Sequence, residues 1–81
     1  MLGMQYTGLA LRHWQEWLPK MTQELRDQGQ LNHAAQMASK RAAEQVAKLM
    51  EQGMQQHEAE EMVLPQEILF KPEESDEDEQ E

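Results

Sequence analysis

The sequence predicts an all-α protein: a small three-helix assembly followed by an extended apolar segment and a disordered acidic tail. Three observations carry that prediction. Ala, Glu, Gln, Leu, Lys and Met, the good helix formers, dominate the 81 residues. β-Branched residues are confined to Thr7, Thr22, Val46, Val63 and Ile68. Gly29 and Gly53 divide the body of the chain into pieces of helix length.

The first piece covers residues 8–28. Leu11, Trp14, Leu18, Met21 and Leu25 recur there at spacings of 3, 4, 3 and 4, one stripe of a helix. Pro19 falls inside the stripe. A proline removes a hydrogen bond and crowds the carbonyl four residues back, which costs about 3 kcal/mol in an unbroken helix. Because the stripe keeps phase across Pro19, one kinked helix is preferred. Two short helices, with Pro19 in the first turn of the second, are the alternative.

Gly29 supplies a left-handed C′ position, and Asn32 is a good N-cap for a second helix over residues 33–52. Its apolar stripe is Ala35, Ala38, Ala42, Val46 and Leu49, and small side chains let a neighbouring helix approach closely. Lys40, Arg41, Glu44 and Lys48 mark the outer face. Glu44 and Lys48 form an i,i+4 pair in the favourable order, worth roughly 0.2–0.5 kcal/mol.

Gly53 ends this helix, and Met54 should fold back on Leu49 in a Schellman motif. A short third helix over residues 55–64 presents Ala59, Met62 and Val63. Pro65 stops it, because the residue before a proline disfavours the helical region. Ile68-Leu69-Phe70, bounded by Pro65 and Pro72, reads as an extended strap laid over the helices.

The net charge of -9 is unevenly spread. Glu73, Glu74, Asp76, Glu77, Asp78, Glu79 and Glu81 place seven acids and no base in residues 73–81, leaving -2 for residues 1–72. Within that body, residues 1–50 carry four acids against six bases, and residues 51–72 carry five acids against one base. A like-charge run buries too little apolar area to offset its ordering entropy. The expected division is one helical domain over residues 1–72 and a disordered tail over residues 73–81.

These patterns exclude several classes of function. Without Cys there is neither a disulfide framework nor a thiolate metal site. No apolar run reaches the length of a membrane span, and the start has no basic signal-peptide region. His13, His33 and His57 fall in separate helical pieces. His57 and Glu61 are spaced i,i+4, but the zinc-protease pattern needs a second His where Glu61 stands. Ser39, Ser75, Thr7, Thr22 and Tyr6 lie in no nucleophile elbow or phosphate loop. The expectation is a non-enzyme with no cofactor and no metal. The bases of residues 1–50 alternate with acids, which argues against direct nucleic-acid binding, although Trp14 and Trp17 are of a type that stacks on bases.

Apolar residues remain as candidates for recognition. Trp14, Trp17 and Met21 follow one another on the first stripe, and Met50, Met54 and Met62 add adaptable surface near the second and third helices. Plain core filling is the simpler role for both sets, with Trp17 singled out as the residue to mark a contact surface. A body this small with so few large apolar residues gains from association, so a homodimer is expected alongside a protein partner.

Leu11-Arg12-His13-Trp14, Trp17-Leu18-Pro19 and Gly29-Gln30-Leu31-Asn32 together resemble small accessory proteins of phages and mobile elements, in particular the transposon-encoded TnpV-type family. Glu58-Ala59-Glu60-Glu61-Met62-Val63-Leu64-Pro65 and Pro72-Glu73-Glu74 resemble phage accessory proteins as well. The resemblance covers residues 9–74, brings no catalytic motif, and implies a mobile-element origin and the cytoplasm of a bacterial host. The expected function is an interaction or adaptor role exercised through a Trp/Met helical face. An acidic DNA mimic that inhibits a host or phage nucleic-acid enzyme, in the manner of anti-restriction or anti-CRISPR proteins, is the alternative. A small DNA-associated regulator is a further one.

Overall fold

Leu18 leaves helical geometry, with φ -131° and ψ 58°, and this one residue turns the expected kinked helix into two. In the computed structural model, which describes residues 3–73, α1 spans Thr7–Trp17, α2 spans Pro19–Asp27, α3 spans Leu31–Glu51 and α4 spans Gln56–Glu67. The fold is all-α. Pro19 takes the first position of α2, where its missing N–H leaves nothing unsatisfied and its fixed φ suits a helix start. Breaking the helix thus costs less than kinking it.

The two glycine stops are Schellman motifs. At the end of α3 the Met54 N–H donates to the Leu49 carbonyl at 3.1 Å, and the Gly53 N–H to the Met50 carbonyl at 3.0 Å. At the end of α2 Gln30 and Gly29 repeat the pattern on Leu25 and Arg26, at 2.8 and 3.0 Å. Gly29 and Gly53 have φ of 73° and 105°, which side chains with a Cβ resist.

Two helix limits differ from expectation by more than one residue. Asn32 is not the N-cap of α3: the tight Schellman turn already places Gln30 there, and the helix begins at Leu31 without a side-chain cap. By contrast, α4 opens on a capping box between Gln55 and Glu58. Pro65 does not stop α4, which runs to Glu67. The Ile68 and Leu69 N–H groups both donate to the Leu64 carbonyl, at 2.8 and 2.7 Å. These bonds hold Leu64 helical against the preference of a pre-proline residue and deliver Ile68 into the core.

The core lies between α1, α3 and α4. Tyr6, Ala10, Trp14 and Leu18, spaced by four, are its α1 side, and Ala35, Ala38, Ala42 and Val46 are its α3 side. Ala59 and Val63 come from α4. Leu11, Met21 and Leu25 of the expected first stripe are only half-buried: Ala10 and Trp14 form the side of α1 that meets the core, which leaves Leu11 at its edge, and the break at Leu18 turns Met21 and Leu25 out of register with α1. The molecule is 13 Å through its thinnest dimension. Two helices packed about 8–10 Å apart fill that depth, so every helix keeps a side in water.

Residues 68–70 do strap the helices together, although they turn rather than extend: the Phe70 N–H returns to the Ile68 carbonyl. Ile68 is fully buried, and with Ser39 it is the largest side chain to be so. Trp14 donates to the Ile68 carbonyl at 2.8 Å and stacks on Phe70, ring centres 6.0 Å apart, while His13 Nε2 bonds the Phe70 carbonyl at 2.9 Å.

Beyond the strap, Glu73 belongs to the body as well as to the acidic run. Its two carboxylate oxygens accept the Lys20 and Met21 N–H groups at 3.0 Å each, which fills the open N-terminus of α2. The boundary expected after residue 72 therefore falls inside a hydrogen-bonded contact. The rest of the run, Glu74, Asp76, Glu77, Asp78, Glu79 and Glu81, lies outside the described residues, as does its expected disorder.

Candidate functional site

Gln45, Lys48, Leu49 and Gln52 recur at spacings of three, one and three, which aligns them along one side of α3. Across from them α4 presents Met62, Val63 and Gln66. Together they line a groove of about 290 Å³ between the two helices. Leu49 and Val63 give it an apolar floor, three amides and the Lys48 ammonium are polar groups at its walls, and Met62 is 55% exposed. Arg41 and Gln45 bind Glu67 at 3.2 and 2.8 Å, tying α3 to the far end of α4 and fixing the width of the groove.

The six apolar candidates do not form one patch. Trp14 is core, 3% exposed, with its N–H and its ring both used on the strap. Trp17 lies three residues on and is 40% exposed at the end of α1. Met21 and Met54 are half-buried against the core. Met50 is exposed, but on a helix it projects well away from Gln45 and Gln52, the groove side of α3. Met62 alone of the six lines the groove. The groove's polar residues were missed in the sequence. Their signal was the Gln45-Lys48-Leu49-Gln52 stripe, which runs beside the apolar one and is easily read as an ordinary solvated flank.

Ser39 and Tyr6 tie separate parts of the fold together. Ser39 is fully buried; its hydroxyl accepts the Tyr6 N–H at 3.0 Å and donates to the Gly3 carbonyl, which pins residues 3–6 onto α3. The Tyr6 hydroxyl donates to Glu60 at 2.7 Å. Burial, the bond to Glu60 and the nearby negative charge raise the phenol from 10.0 to about 12. Glu60 also accepts from Gln56 at 3.0 Å. His33 and His57 are exposed. Among the described residues no group of three or more His, Asp or Glu is placed to hold a metal ion, and no helix is long and apolar enough to cross a membrane. The expected Glu44–Lys48 ion pair is not formed, and Arg41–Glu67 takes its place as the contact of the outer face.

A scan against protein-family models matches none, and searches of curated proteins and of solved structures return no match.

Proposed function

We propose that this protein is a non-enzymatic interaction module that takes an apolar helix side of a protein partner into the α3–α4 groove. The carrying observation is Met62: a large, flexible, apolar side chain left 55% exposed beside a floor of Leu49 and Val63. Met side chains repack around different partners, and a groove between helices receives an amphipathic helix through apolar anchors. The Gln52 and Gln66 amides offer donors and acceptors along the edge, and Lys48 favours a partner with an acidic residue beside its apolar anchor. The setting in a phage or mobile element is carried by the sequence resemblance and forms part of the proposal.

The test places a photo-crosslinking residue at position 62 in the full chain and identifies the protein it captures. The affinity of that protein is then compared between the native chain and Met62→Asp. Loss of binding in Met62→Asp with an unchanged melting temperature supports the groove. Full binding in Met62→Asp overturns it. Binding that survives Met62→Asp, weakens steeply with salt and disappears when residues 74–81 are removed instead establishes the acidic DNA-mimic reading.

A further inference from the structure

A second surface, on the far side of α3, carries a separate inference that does not rest on the groove. His33, Met37, Lys40, Glu44, Ala47 and Glu51 are all exposed. Their spacings are 4, 3, 4, 3 and 4, those of a heptad repeat, with Met37 and Ala47 as its apolar members and His33, Lys40, Glu44 and Glu51 as its polar ones. Among the described residues none of the six makes a side-chain hydrogen bond or ion pair with the rest of the chain. The charges of Lys40, Glu44 and Glu51 thus have no partner among the described residues.

The order of these residues is self-complementary. When a second α3 is laid antiparallel across the first, with a two-fold axis at the level of Ala42, position 33 meets 51, 37 meets 47 and 40 meets 44. Every layer is then chemically matched. His33 faces a carboxylate from Glu51, Met37 covers the small Ala47, and Lys40 faces Glu44, each contact occurring twice by symmetry. A parallel pairing in register would instead set Lys40 against Lys40 and Glu44 against Glu44. Arg41, which lies beside the seam near its own symmetry copy, is drawn aside by Glu67 at 3.2 Å.

The shape of the surface agrees with this register. Lys40, Ala43, Glu44 and Ala47 line a depression of about 320 Å³ on this flank of α3, edged by Gly3 and Gln5. Their spacing of three, one and three is that of the four-residue hole into which a facing helix inserts a side chain. In the antiparallel arrangement the inserted side chain is Lys40 of the second copy. Its aliphatic stem lies over Ala43 and Ala47, and its ammonium reaches Glu44.

We propose that the outer face of α3 is a self-association surface, through which two copies of this chain pair antiparallel about Ala42 with Lys40 of each on Glu44 of the other. A single helix pair of this length buries on the order of 1,000 Å², the range of reversible rather than obligate association. Charge pairing then sets orientation and register.

Sedimentation equilibrium of the full chain tests this. The native chain should dimerise reversibly, and Lys40→Glu and Glu44→Lys, at exposed positions, should each weaken dimerisation about tenfold or more by opposing like charges. Circular dichroism of each variant confirms that it is folded. An equimolar mixture of the two variants should recover dimers, because Glu at position 40 of one then faces Lys at position 44 of the other, and the native Glu44 and Lys40 face each other in the second layer. The double variant K40E/E44K should recover them by the same pairing. Recovery on mixing requires contact between chains and has no explanation within one chain. A native chain that stays monomeric, a dimer indifferent to both reversals, or a mixture that stays monomeric overturns the proposal. Because Met62→Asp lies outside this face, it should leave dimerisation unchanged, which separates this result from that of the groove.

Discussion

Trp14 donates its indole N–H to the carbonyl of Ile68 at 2.8 Å, and the two residues stand 54 positions apart in the chain. The contact joins the middle of α1 to the strap, and the Phe70 ring stacks on the same indole. Trp14→Phe keeps an aromatic ring there but removes one of the two donors to that carbonyl, which the Phe70 N–H still meets at 3.0 Å. Losing one buried hydrogen bond costs about 0.5–1.5 kcal/mol, so the urea midpoint should fall by a corresponding amount. Trp17→Phe, at an exposed position, should change the midpoint little.

Tyr6 makes alkaline stability predictable. Its folded pKa of about 12 lies above the ordinary 10.0 because burial, and then Glu60, oppose the phenolate. A raised folded pKa stabilises the native state fully below pH 10, and that contribution is lost as the pH rises from 10 through 12. The loss amounts to roughly 2–3 kcal/mol by linkage. Because Tyr6 is the sole tyrosine, its ultraviolet titration reads the site directly. Glu60→Gln should lower the midpoint only part of the way to 10, since burial is the larger cause.

The same substitution at two glycines should have opposite signs. Gly53 has φ 105° and ends α3, so Gly53→Ala forces a left-handed residue with a Cβ and should cost roughly 1–2 kcal/mol. Gly8 is within α1 with open space around a Cβ, so Gly8→Ala should stabilise by about 0.5–1 kcal/mol. Thermal melts of the two variants check the pair.

Thr22 is buried on α2 and its hydroxyl has no hydrogen-bond partner. Thr22→Val keeps the branched shape and removes the orphaned group, so it should raise stability by about 1 kcal/mol. Thr22→Ser keeps the hydroxyl, loses a methyl group and should lower stability. Denaturant titration distinguishes the two directions.

Glu73 satisfies two N–H groups at the start of α2. Glu73→Gln removes the charge that the helix N-terminus favours, at a cost of roughly 0.3–1 kcal/mol. Amide exchange at Lys20 and Met21 should quicken in this variant more than exchange within α3.

How much of this was legible depended on how local the deciding interaction was. The Schellman turn at Gly53 and Met54 needs only six consecutive residues, and the sequence announces it. The buried stripe Ala35-Ala38-Ala42-Val46 follows from periodicity alone. Pro65 misleads, because a local preference at Leu64 is overruled by the burial of Ile68, which depends on α1 and α3. Ser39 and Glu73 act on partners 33 to 53 residues away, and no spacing rule reports such pairs. At the groove, Met62 was visible as an apolar residue on a short helix. Its amide walls became distinct from solvated surface only when α4 was placed beside α3.

The strap also orders events in time. Ribosomes release the chain from its N-terminus, so α1, α2 and α3 are synthesised while the site that Ile68 fills is still open. Trp14 then has neither its acceptor nor its stacking ring. Closure waits for residues 68–73, the last of the described chain to be made. A ribosome stalled before Ile68 should therefore display a nascent chain sensitive to protease near Trp14, and release from a stall placed beyond residue 73 should remove that sensitivity.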